Sequence, residues 1–254
     1  MKIALIVQRY GTEIIGGSEY HCRLIAERLA RRHEVEVLTT CARDYITWAN
    51  DYKEGTDRVR GVTVRRFANA HERDINSFND YSNWIFHNQH SSSDEQEWLK
   101  QQGPWCPSLI EYIEKHQTSY DALIFFTYLY APTVLGLKVA SKRSILVPTA
   151  HDEPAITLDM YRDVFRAPSG IAYNTGAERV FLQSKFSVGA KAEKIVGCGV
   201  DLPAQYSKGS IVAKNEHAQK ENDDLDSAHY AQSAATAFRR RHRLYGPFAL
   251  YGGR

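Results

Sequence analysis

KIALIVQRYGTEIIGGSEYHCRLIAERLARR, residues 2 to 32, sets the fold class. Ile3 to Val7 is an unbroken apolar strand, and a loop carries it into the turn Gly16-Gly17-Ser18-Glu19. Behind the turn Cys22, Ile25, Ala26, Leu29 and Ala30 recur at the spacing of one helix face. Arg23, Glu27, Arg28 and Arg31 take the other. Strand, glycine turn and helix form the first half of a βαβ unit. The first N–H groups of such a helix lack intrahelical partners and stabilise an anion, and glycines let it come close. The plainer reading, a tight connection with Ser18 or Glu19 capping the helix, stands beside that one.

Two phosphate motifs fail on these residues. Gly11 to Ser18 has the spacing of a P-loop, but Gly17 stands where its lysine is required. A dinucleotide site needs G-x-G-x-x-G and an acidic residue closing the second strand, and the strand Glu34 to Leu38 runs into Thr39-Thr40-Cys41 instead. An NTPase and a dehydrogenase are both disfavoured.

Working outward, the chain alternates strand and helix. The expected strands are Glu34 to Thr40, Val62 to Phe67, Asp121 to Thr127, Ser144 to Ala150, Gly170 to Tyr173 and Glu193 to Val196. Pro132 to Ala140 is a crossover helix, and Thr175 caps the helix through Phe181. These elements predict an α/β fold, a Rossmann-like doubly wound parallel sheet. Residues 69 to 118 form a polar, mainly helical insertion carrying Phe78, Tyr81, Trp84, Phe86, Trp98, Trp105 and Tyr112; these pack on a core or face a ligand. Gly103-Pro104 interrupts that insertion, and Pro107 opens its last helix.

The totals narrow the class further. At 254 residues the chain holds one large domain, or one and part of another, and 43% apolar content suffices for a core. A net charge of +2 points to no particular partner. No apolar run reaches the length of a membrane span, and no signal peptide precedes the first strand, so a cytoplasmic protein is expected. Cys22, Cys41, Cys106 and Cys198 form no C-x-x-C pair and are expected to be reduced and buried. Residues 204 to 243 read as a polar linker and connecting helix, and 244 to 254 as the start of a truncated second domain. The run Arg239 to Arg243 is better explained as a solvated helix than as a nucleic-acid patch, so no nucleic-acid partner is expected.

Ligands of open parallel sheets bind beyond the carboxyl ends of the strands, where the strand order reverses. The Gly16-Gly17 turn follows the first strand and His151-Asp152-Glu153 follows the fifth, which puts His151 across the crevice from the turn. His151 there can donate to a phosphate or sugar oxygen. As metal ligands the three lack distant partners at recognisable spacing, and a structural strand end is the duller alternative. No G-x-S-x-G elbow supports a nucleophilic triad.

Met1-Lys2-Ile3, Gly16-Gly17-Ser18-Glu19, Thr149-Ala150-His151, Thr175-x-x-Glu178-Arg179 and Gly199-Val200-Asp201 together resemble retaining GT-B glycosyltransferases that use nucleotide sugars. The resemblance covers residues 1 to 203, the N-terminal acceptor-side domain of that fold. Pro247 to Arg254 looks like the first strand of the family's second domain. The resemblance implies that Gly16 and Gly17 approach the donor's phosphates and the acceptor, and that His151 contacts the donor sugar. Glu19 and Asp152 join them as substrate-binding candidates. It implies no metal and no cofactor beyond the nucleotide-sugar co-substrate, with a glycan, lipid-linked glycan or small molecule as hydroxyl acceptor, and peripheral association with the inner membrane face. The family's paired glutamates lie in the second domain, so this chain is expected to be an inactive half alone. A non-catalytic ligand-binding module and a GT-B-type nucleotide-sugar epimerase are the competing readings.

Overall fold

The structure is a computed structural model that describes residues 1–199. The chain divides into two compact units, Met1–Val200 and Asp201–Arg254. The expected linker, the Arg239 to Arg243 run, the strand start at 244 to 254 and most of the Gly199-Val200-Asp201 motif lie outside the described residues.

Strand β1 (Lys2–Ile6) leads through the glycine turn into α1 (Gly17–Leu29) and β2 (Glu34–Thr40). A hairpin of β3 (Gly55–Val59) and β4 (Val62–Phe67) follows. Three helices come next: α2 (Ile75–His87), α3 (Ser92–Gln102) and α4 (Pro107–His116). Then β5 (Ala122–Phe126), α5 (Ala131–Val139), β6 (Ser144–Val147), α6 (Met160–Arg166), β7 (Gly170–Tyr173), α7 (Gly176–Lys185) and β8 (Ala192–Ile195) complete the order.

These strands form one sheet in the order β3-β4-β2-β1-β5-β6-β7-β8, parallel throughout except for β3 against β4. The order runs one way from β1 through β2 and the other way from β5, so the reversal lies between β1 and β5. Leu5 pairs with Val37 on one side and with Ile124 on the other. The expected doubly wound α/β fold is present.

Alternation along the strands decides which core each residue enters. Ile3, Leu5 and Val7 pack with Cys22 and Ala26 of α1, while Ala4 and Ile6 turn to the opposite face with Leu109, Ile113, Val134 and Leu137 of α4 and α5. A strand covered on both faces has no reason to alternate apolar with polar, which is why β1 and β5 read as continuous apolar runs.

Several expectations change. The hairpin strand β3 has three consecutive polar residues, Thr56, Asp57 and Arg58, that carry no core signal; it is an edge strand and largely exposed. Strand β6 stops at Val147 rather than Ala150, because Pro148 has no N–H to donate and Thr149 adopts φ +54°. Arg23 is buried instead of solvent-facing, held by Glu27 at 3.2 Å and lying over the Tyr20 ring. Cys22, Cys41 and Cys106 are buried as expected, but Cys198 is exposed. The aromatic insertion is core: Trp98 is buried among Phe78 and Phe86, and only Trp84 of the seven rings is exposed. Among the described residues no helix is long and apolar enough to cross a membrane.

Candidate functional site

The carboxyl edge of the sheet gathers the loops after β1, β2, β5, β6 and β7. The loop after β1 is built around Arg9 and Glu19, both only 5% exposed at their side chains. Arg9 donates from Nε (2.9 Å) and Nη2 (2.5 Å) to Glu19 Oε1, and from Nη1 to the Arg43 carbonyl. Its guanidinium lies 5.3 Å from the Tyr45 ring and 6.0 Å from the Trp48 ring. Ser18 Oγ donates to Glu19 Oε2, and Gln8 Nε2 donates to Ser18 Oγ at 3.3 Å. Gln8 is 2% exposed, and its Oε1 has no partner among the described residues.

This network explains the paired glycines. A Cβ on Gly16 would lie 2.2 Å from Glu19 Oε2, so the close approach of that carboxylate requires glycine; the φ of −168° does not. Among the described residues a Cβ on Gly17 would meet nothing within 4 Å. Neither Ser18 nor Glu19 caps α1, contrary to the plainer expectation. Gly16 is the N-cap, and among the described residues no side chain bonds to the first helical N–H groups. Helix α1 therefore presents uncapped donors beside an open glycine. Glu19, a substrate-binding candidate in the sequence, is held by Arg9 through its Oε1.

The loop after β2 forms a wall next to this turn. Trp48 is buried with φ +59°, donates its indole N–H to the Gln102 carbonyl at 2.8 Å, and meets Tyr130 edge-on at 5.4 Å. Arg73 fastens the same loop by donating to the carbonyls of Tyr45, Ile46 and Gln102. Three backbone acceptors on one guanidinium fix the loop, as a planar fork of donors allows.

His151 and Asp152 lie in the loop after β6, separated from the strand by Pro148, Thr149 and Ala150. His151 is 71% exposed, with Nε2 3.7 Å from Glu153 Oε2. Glu153 in turn accepts from the buried Tyr128 hydroxyl. Burial, then the Glu153 charge, raise the Tyr128 phenol far above its ordinary range, so it stays protonated and donates. Asp152 pairs with Lys185 Nζ at 2.8 Å. Among the described residues no hydrogen bond, ion pair or ring contact joins His151 or Asp152 to the glycine turn. The two groups share a sheet edge, with β5 between their strands.

Other residues of the edge escaped the sequence reading. Thr127 and Thr149, at the ends of β5 and β6, hold φ of +61° and +54°. β-Branched residues avoid that region, and such outliers concentrate where function fixes the backbone. The buried Glu178 carboxylate accepts from Ala150 N (2.7 Å) and Asn174 N (2.6 Å), tying the ends of β6 and β7 to the start of α7. Burial raises its pKa against the opposing pull of those backbone donors. Asn174 Oδ1 has no partner among the described residues.

His21 on α1 is buried, edge-on to Phe126 with planes at 87°, and its Nδ1 is 3.7 Å from Cys198 Sγ. Burial lowers its pKa, so the ring is neutral near pH 7. The sequence reading did not single out His21. Its place four residues after Gly17, one turn along the helix, was the available signal. Among the described residues no three His, Cys, Asp or Glu side chains cluster as metal ligands.

No protein-family model and no curated protein matches the sequence. Among solved structures, the chain is similar to sucrose-phosphate synthase from Thermosynechococcus elongatus at 13% identity and a TM-score of 0.48. The match covers 79% of this chain and 48% of that one, so this chain spans about half its length. An E. coli structure described as trehalose-6-phosphate bound with UDP-2-fluoro glucose matches at 11% identity and a TM-score of 0.42, covering 71% of this chain and 41% of that one. Neither likeness assigns an activity to this chain.

Proposed function

We propose that the chain is the acceptor-side half of a retaining glycosyltransferase, which moves a sugar from a nucleotide donor to a hydroxyl acceptor in the cytoplasm. The observation that carries this reading is the uncapped start of α1 at the β1/β5 reversal, with open space in front of Gly17. A departing nucleotide phosphate there meets preorganised N–H donors and the positive end of a 13-residue helix. Arg9 neutralises Glu19 behind the turn, so the resident carboxylate does not cancel that attraction. The chemistry asked of the site is stabilisation of a leaving anion, which backbone donors supply without a metal.

His151 would orient the donor sugar. Its exposure leaves the imidazole able to turn toward a ligand, and Glu153, fixed by Tyr128, gives it one anchor. The resemblance in the order of motifs supports glycosyl transfer over simple anion binding. The paired glutamates of such enzymes would have to come from a second domain.

The test is nucleotide release from a panel of nucleotide sugars, with and without acceptor, by the polypeptide that carries this chain with its donor-side domain. The reading expects release that depends on acceptor, and a loss of at least tenfold in turnover for His151→Ala, about 1.4 kcal/mol of barrier. Ligand binding without any release would favour a binding module. Release that needs no acceptor would favour an epimerase. Unchanged turnover in the variant would remove His151 from the mechanism.

A further inference from the structure

Residues of α3, α5 and α6 line an open cavity of about 410 Å³. That size falls in the roughly 300–1,000 Å³ range of small-molecule sites. Its floor is apolar: Leu99 from α3, Leu135 from α5 and Met160 from α6, with the half-buried Trp105 beside them. The Trp105 ring has no aromatic or cationic partner among the described residues, although five aromatic pairs there involve rings of the same insertion.

The rim is polar and uncommitted. Gln96, Lys138 and Asp163 line the cavity, are exposed, and make no side-chain hydrogen bond or ion pair among the described residues. Together they offer donors, acceptors and an amide that is both. Lys138 is the one cation in the lining, against the carboxylates of Glu95, Asp159 and Asp163. The two other acids at the cavity are already engaged. Asp159 pairs with Arg162 at 2.8 Å, and Glu95 is buried, accepting from Asp159 N, Met160 N and His90. Glu95 thereby clamps α3 to the start of α6 and holds two walls in place before any ligand arrives, which lowers the cost of ordering them.

We propose that this cavity binds a neutral carbohydrate, one sugar ring lying against Trp105 with its hydroxyls on Gln96, Lys138 and Asp163. A sugar has an apolar C–H face and a perimeter of hydroxyls that both donate and accept, which matches an unstacked indole ringed by donors and acceptors. A phosphorylated ligand would meet three carboxylates, Glu95, Asp159 and Asp163, with Lys138 as the one opposing cation. The inference stands apart from glycosyl transfer, since the residues lining this pocket include none of the glycine turn and none of His151, Asp152 and Glu153.

The experiment is saturation-transfer NMR on the full chain with maltotriose, cellotriose and mannotriose as probes, together with the shift of the Trp105 indole N–H on titration. At least one trisaccharide should receive saturation and move that indole signal. Trp105→Leu, and separately the surface double variant Gln96→Ala with Asp163→Ala, should each weaken binding at least tenfold, while Gly17→Val leaves it unchanged. The double variant keeps the test decisive if Trp105→Leu fails to fold. No transfer from any probe would overturn the proposal. So would binding only of a sugar phosphate, or a signal lost in Gly17→Val and kept in the cavity variants, which would put the sugar at the sheet edge.

Discussion

A methyl group has no room at position 16 and ample room at position 17. Added to Gly16 it would collide with Glu19 Oε2, and Glu19 cannot retreat without leaving Arg9. Breaking a buried pair by displacing one partner costs roughly 3–5 kcal/mol, so Gly16→Ala is expected to destabilise by about that amount. Gly17→Ala meets no atom and removes backbone freedom from the unfolded chain, a gain of up to about 1 kcal/mol. Urea midpoints should move in opposite directions for the two variants; equal losses would mean the Glu19 carboxylate is not lodged against Gly16. At Glu178 the same scale predicts a pH dependence. Burial raises its folded pKa above the unfolded value, so its contribution is fully present below the unfolded pKa and is lost as pH rises through the folded one. Glu178→Gln should flatten that part of the stability profile. At neutral pH it should also cost about 1–3 kcal/mol, because an amide nitrogen would face a backbone N–H. A profile unchanged by the substitution would contradict the assignment.

At the scale of elements, pattern and chemistry were legible to different degrees. Strands covered on both faces announced themselves as apolar runs, and β2, β4 and β7 begin and end where their residues indicated. Helix α4 opens at Pro107 and α7 is capped by the Thr175 hydroxyl on Glu178 N, both signals that local chemistry writes into sequence. Edge strand β3 was illegible because only pairing with β4, not burial, makes it a strand. The site was legible in position and not in contacts. Gly16 and Gly17 marked the turn, but the Arg9–Glu19 pair joins residues ten apart across a loop, which no periodicity reveals. The insertion offers a test of element coupling. Ser91 and Asp94 form a reciprocal capping box at the start of α3, the helix whose Glu95 holds the start of α6. Ser91→Ala should cost about 1 kcal/mol and raise amide exchange in both α3 and the first turn of α6. Faster exchange confined to α3 would show that the clamp does not transmit.

Across the molecule, one topological fact organises the account. The strand order reverses between β1 and β5, so α1 packs on one face of the sheet and α4 and α5 on the other, the arrangement in which open parallel sheets form a ligand crevice at the carboxyl edge. The uncapped N-terminus of α1 opens there, backed by a neutralised ion pair and walled by the Trp48 loop. The order of strands was readable from the alternation of motifs. The strained Thr127 and Thr149, and the buried His21 near Cys198, were not, because their significance lies in where β5, β6 and α1 converge. The central claim is that this crevice receives the phosphate of a nucleotide sugar at α1. Its most direct test is an amide-resolved NMR titration of the full chain with UDP, GDP and ADP in turn. The account predicts saturable shifts of the Gly17, Ser18 and Glu19 amides for at least one of them, weakened at least tenfold in Gly17→Val. Saturable binding that leaves those amides unmoved, or no binding by any nucleotide, would contradict it.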